Sequence, residues 1–158
     1  MSPTGAIEMS ALGQAMRQSL WLYPAVETVH IVGLALLVGS IAVLDLRLLG
    51  LSRSIPVRRL AAHVLPWTIG SFALILPSGL AMFAAHAGDY IDSPVFVLKM
   101  CLILAAAANA AAFHLAWFPG VASWDADAKP PRAVRAMGAL SLVLWVSVIA
   151  CGRLLAYT

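Results

Sequence analysis

The chain has 158 residues, of which 62% are hydrophobic and only 11% charged. A soluble domain carries roughly 25% charged residues, so a water-soluble catalytic domain is excluded and the missing charge implies lipid as the solvent. The formal net charge of +3 does not indicate nucleic acid, because the basic residues gather at helix ends, where they set membrane orientation.

The opening stretch MSPTGAIEMS lacks the basic n-region of a signal peptide, so the N-terminus is expected to stay on the mature protein. Through residues 5–19, Ile7, Leu12 and Met16 recur at near-helical spacing among Glu8, Gln14, Arg17 and Gln18. That pattern predicts a short amphipathic helix lying on the membrane surface. Four apolar segments follow, at about 20–49, 60–85, 94–118 and 133–157, each long enough to meet the need of about 20 residues per span. Tyr23 and Pro24 open the first. Pro66 and Pro77 should kink the second. The third carries AAAANAAA over residues 105–112, a face of small residues suited to close helix packing. Cys101 and Cys151 lie inside apolar runs, match no disulfide or zinc spacing, and read as packing residues. Strand-like alternation is missing, which argues against a barrel. Short connections favour an up-down bundle. The expected fold class is therefore all-α: an integral membrane four-helix up-down bundle, a single transmembrane domain with a short N-terminal interfacial helix.

Orientation follows from Lys and Arg. The first loop region carries Arg47, Arg53, Arg58 and Arg59, and the third carries Lys129, Arg132 and Arg135. The second, HAGDYIDSP, carries neither Lys nor Arg and holds Asp89 and Asp92. By the positive-inside rule the first and third loops face the cytoplasm, and both termini, Met1 and Thr158, face outward, as expected for a bacterial inner-membrane protein. Trp21, Tyr23, Trp117, Trp124 and Tyr157 fall near the interfaces.

The spans also carry ionisable groups, each costing roughly 2.5–3.5 kcal/mol when charged at mid-membrane. Glu27, His30, His86 and Lys99 form an outer layer; Asp45, His63 and His114 form an inner one with Arg47 beside it. Asp45 and Arg47 read as an interfacial ion arrangement. At 100° per residue Glu27 and His30 are about 60° apart on the first helix and Asp45 returns to the Glu27 angle, so one stripe carries all three. Two histidines on facing helices can ligate a b-type haem. The expected pairs are His30 with His86 and His63 with His114, giving one or two haems. Gly33, Gly39, Gly70, Ser71, Ser78 and Gly79 offer room for a flat macrocycle, and Lys99 and Arg153 offer cations for outer propionates. Glu27 and Lys99 are the candidate catalytic residues, Glu27 as a partner of a ligand imidazole or as a proton carrier.

Two stretches carry a resemblance: VETVHIVGLALLVGSIAVLDLRLLG in the first helix and GLAMFAAHAGDYIDSPVFVLKMCLILAAAANAAAFH across the second and third. They are similar to the four-helix bacterial protoporphyrinogen oxidase, to copper-resistance membrane proteins of the CopD type, and most of all to a group of bacterial inner-membrane proteins of unknown function. The likeness to the oxidase implies haem or porphyrin held between helices, with His30 in the place of its first-helix histidine and Lys99 in the place of its third-helix lysine. The leading expectation is a b-type cytochrome-like protein that transfers electrons, with quinone or a redox protein as partner. The alternatives are a porphyrinogen oxidase-like enzyme, a copper-handling protein using Met82, His86 and Met100 as soft ligands, and an anchor subunit of a larger complex or a homo-oligomer.

Overall fold

A helix of 23 residues rises about 35 Å, more than the roughly 30 Å hydrocarbon core of a bilayer. In the computed structural model, which describes residues 2–157, four helical spans reach or exceed that length while remaining apolar. Met1 and Thr158, the two ends assigned outward, lie outside the described residues. The elements in chain order are α1 (Pro3–Glu8), α2 (Ala11–Gln18), α3 (Leu22–Leu49), α4 (Val57–Ala85), α5 (Ala87–Asp92), α6 (Pro94–Ala112) and α7 (Arg132–Leu154). A π-turn over Phe113–Trp117 and a 3-10 turn over Phe118–Ser123 prolong α6. The described residues contain no strand. The fold is the expected all-α bundle.

The boundaries differ from the hydropathy reading for local reasons. Gly50 ends α3 with φ of 105°, a left-handed backbone that glycine adopts without strain. α4 starts three residues before the expected Leu60 because its first amide groups are capped from the far loop: Val57 N donates to Asp125 O, and Arg58 N donates to Asp125 Oδ1. The helix runs through both prolines as one element. The hydroxyls of Thr68, Ser71 and Ser78 donate back to carbonyls of the turns around them, the usual remedy for proline-disturbed backbone in lipid.

α3 packs along α4 and α7, and α6 packs along α7, so two antiparallel hairpins join through α3 and α7. Small residues set the approach. A Cβ at Gly33 would lie 2.8 Å from Ile75 Cγ1, and one at Gly138 would lie 3.1 Å from the Asp45 carbonyl. Three apolar clusters lie along the bundle. One holds Leu48, Val57, Phe113, Val121, Trp124 and Val134; the middle one holds Leu37, Ala106, Leu144, Trp145 and Val148; the last holds Met16, Ala81 and Ala85.

The N-terminal segment is two helices rather than one. Ser10 separates them and caps α2 by accepting from Gly13 N. They dock on protein as well as facing the interface. Met16 is buried against Ala81 and Ala85, and Gly13 sits so close to α4 that a Cβ there would lie 2.6 Å from the Ala84 carbonyl. Glu8 Oε1 accepts from Gly88 N, and Arg17 donates to Glu8 and to the Ala85 carbonyl. Leu12, Leu20 and Trp21 stay exposed as the lipid-facing side of this hairpin.

At the opposite end, Arg47 is 2% exposed and ties two loops together. Its Nε donates to Ile55 O at 2.7 Å, and its Nη2 donates to Arg53 O at 3.1 Å and to Asp125 O at 2.9 Å. Arg47 therefore pairs with backbone carbonyls rather than with Asp45, and the expected ion arrangement is replaced by a loop staple. Asp45, also buried, turns to α7, with the Ser141 hydroxyl beside it.

Candidate cofactor-binding site

His30 stands eight residues into α3, about 12 Å below its start, and reaches across to α4. Its Nδ1 lies 2.9 Å from Ser78 Oγ. The ring fills the space that a side chain at residue 79 would take: a Cβ at Gly79 would meet His30 Cε1 at 3.2 Å. Gly79 and Ser78, expected to leave a slot for a macrocycle, instead seat the imidazole.

The Ser78 hydroxyl has one proton, and the carbonyls of Leu74 and Ile75 on its own helix lie within its reach. In the tautomer in which that proton goes to a helix carbonyl, His30 Nδ1–H donates to Ser78 and Nε2 carries the lone pair. This is the arrangement of a metal-ligating histidine. Lys99 extends from α6 toward α7, where a Cβ at Gly152 would lie 3.8 Å from its Nζ. Glu27 is on the exposed side of α3.

The other expected ligands are placed apart. His86 ends α4, seven residues beyond Gly79 and so about 10 Å along the axis from His30. Its ring packs edge-on against Tyr23 with centroids 5.8 Å apart, and its Nδ1 lies 3.6 Å from Asp89 Oδ2. His30 and His86 are not at one level, so this conformation does not offer them as the two faces of one haem site. His63 lies on the exposed side of α4. His114 turns its Nδ1 to the Ala110 carbonyl of its own helix and packs among Phe113 and Phe118. Each has different neighbours. Arg153 is folded onto Tyr157, with its guanidinium 4.8 Å from the ring centre and a hydrogen bond to the phenol, so it does not join Lys99. Met82 packs beside Met16, Ala81 and Ala85, and Met100 is exposed on α6. Among the described residues no group of three or more His, Cys, Asp and Glu is placed to hold a metal ion.

Sequence reasoning missed the role of Ser78 and Tyr23. The pairing of His30 with Ser78 spans 48 residues, and no periodicity connects them. The one legible signal was a hydroxyl next to glycine directly after Pro77, a place where a helix yields backbone space.

Four long apolar helices define a multi-pass membrane protein, with the half-buried imidazole of His30 seated between two of them. Residues 7–158 match the model of a family of unknown function, DUF6644, and the chain belongs to that family. No curated protein and no solved structure matches it.

Proposed function

We propose that this protein is a b-type haem protein of the bacterial inner membrane that passes electrons, with His30 as an axial ligand and both termini outside the cytoplasm. The observation that carries the reading is the half-buried His30 imidazole, whose Nδ1 lies 2.9 Å from the Ser78 hydroxyl, a contact that suits a ring presenting Nε2 to a metal. Lys99 supports it as a cation on the same half of the bundle, suited to a propionate. The offset of His30 from His86 along the helix axis, and the exposed position of His63, favour a single site at the end bearing the termini over two bis-histidine sites.

The test is the absorption spectrum of protein purified from haem-sufficient cells. A Soret band that shifts on reduction is expected. His30→Ala should remove it, and Ser78→Ala should weaken haem retention about 10- to 100-fold, as loss of an outer-shell partner does. A colourless wild-type protein, or a His30→Ala protein with its full haem content, overturns the reading.

A second reading is porphyrinogen oxidation, favoured by a partly buried lysine, Lys99, in the same half of the bundle as His30. It requires the purified protein, supplied with a quinone as the acceptor of six electrons and six protons per ring, to turn a colourless porphyrinogen into a fluorescent porphyrin, with loss of turnover in Lys99→Met at unchanged folding.

A further inference from the structure

Where α2 runs into α3, an open cleft of about 360 Å³ faces the end of the bundle. Arg17, Ser19, Tyr23 and His86 give it a polar lining, and Leu20 and Pro24 part of an apolar one. The volume falls within the range of small-molecule sites, roughly 300–1,000 Å³. None of these residues belongs to the His30 site.

The chemistry of the lining selects the ligand. Arg17 is already committed: its guanidinium donates to Glu8 Oε2, the Glu8 carbonyl and the Ala85 carbonyl. The Glu8 carboxylate beside it offsets its charge, which makes the cleft a poor site for a phosphate. His86 and Tyr23 are a different resource. Asp89 stands 3.6 Å from His86 Nδ1, which leaves Nε2 as the ring edge for another partner. The Tyr23 ring packs edge-on to that imidazole, and its hydroxyl is 3.5 Å from the Tyr90 hydroxyl. Phe83, Tyr90 and Phe96 continue the aromatic cluster behind them. Such a wall suits a flat aromatic ring with oxygen atoms that exchange hydrogen bonds with an imidazole and a phenol. The mouth is also placed for an amphiphile. Leu20 and Trp21 beside it are 80% and 78% exposed, as residues in contact with the interfacial lipid are, so a headgroup in the cleft can leave its tail in the bilayer.

We propose that this cleft binds the headgroup of a membrane quinone, with His86 and Tyr23 as its hydrogen-bond partners. The site goes beyond the haem reading and does not require haem to be bound.

Isothermal titration of decylubiquinone into full-length protein in phosphatidylcholine nanodiscs tests it. Saturable binding is expected. His86→Gln and Tyr23→Phe should each raise Kd about tenfold, the cost of one lost hydrogen bond, while Ser123→Ala at the opposite end leaves it unchanged. Tyr23→Phe keeps the ring and guards against a folding defect in His86→Gln. No saturable binding, or binding that both variants leave intact, overturns the site. So does a site for which phosphatidylglycerol competes and phosphatidylcholine does not, since that identifies a phosphate pocket. Quinone binding by a haem-free protein keeps this site and removes the haem reading; a haem protein without quinone binding does the reverse.

Discussion

The two ends of this bundle are built on different terms. At the end formed by the 50–56 and 124–131 loops, the chain buries large apolar side chains, among them Phe113 and Trp124, and locks its loops through one buried guanidinium. At the end that carries both termini the buried cluster is Met16 with two alanines, and His30, Tyr23, His86 and Lys99 are all only partly buried. The first end holds its backbone by hydrogen bonds that reach across 67 to 78 residues. The second is closed by a docked helical hairpin, pinned over similar spans by the more exposed Glu8 and Arg17. Rigid framework and accessible polar groups are thus separated along one set of helices, an arrangement that lets a ligand site be soft without loosening the fold.

The sharpest way to break this comparison is to remove the staple. Arg47→Gln takes a charged donor from three carbonyls in a site sealed from water. Each such bond contributes about 1.5–3 kcal/mol, so the variant should lose about 3 kcal/mol or more, read as a large fall in the melting temperature in detergent. Arg47→Lys should restore little, because an ammonium cannot fork to carbonyls on two loops. His86→Gln at the other end should melt close to wild type. Equal melting of Arg47→Gln and wild type would show that the loop end is not the framework.

A smaller effect is expected at the hairpin. Gly13 is pressed against the Ala84 carbonyl, so Gly13→Val forces α2 off α4 at a cost of about 1–3 kcal/mol. Hydrogen exchange should quicken in residues 3–18 while the spans keep their protection. A uniform loss of protection through α4 and α7 would mean that the hairpin is part of the framework instead of a cover over it.

The contrast between the ends also explains what the sequence could convey. The four spans were legible because lipid imposes length and apolarity on each helix separately. His30 was legible because a histidine so deep in an apolar run stands out against its neighbours. Capping of α4 by Asp125 was not, since the cap comes from a loop 67 residues later. Nor was the carbonyl clasp of Arg47, which uses backbone atoms that every sequence has. The expected histidine pairs were drawn from depth and from the facing of each helix taken by itself. Depth counted along separate helices does not register that His86 tops α4 while His30 meets that helix at Ser78.

The smallest expected effect lies at Glu27. It sits three residues before His30 on α3 and its side chain is exposed. Little folding energy should depend on it, so Glu27→Gln should leave the melting temperature unchanged. If His30 ligates haem, the carboxylate favours the more positive, oxidised iron. Its loss should then raise the midpoint potential by tens of millivolts, the order expected for one partly solvated charge at about 10 Å. Any pH dependence of the potential that comes from this carboxyl should vanish with it, because the amide does not titrate. Redox titration of wild type and variant at several pH values reads both effects. An unchanged potential together with a marked loss of folded protein would make Glu27 a brace for the α3 surface and leave His30 tuned by Ser78 and Lys99 alone.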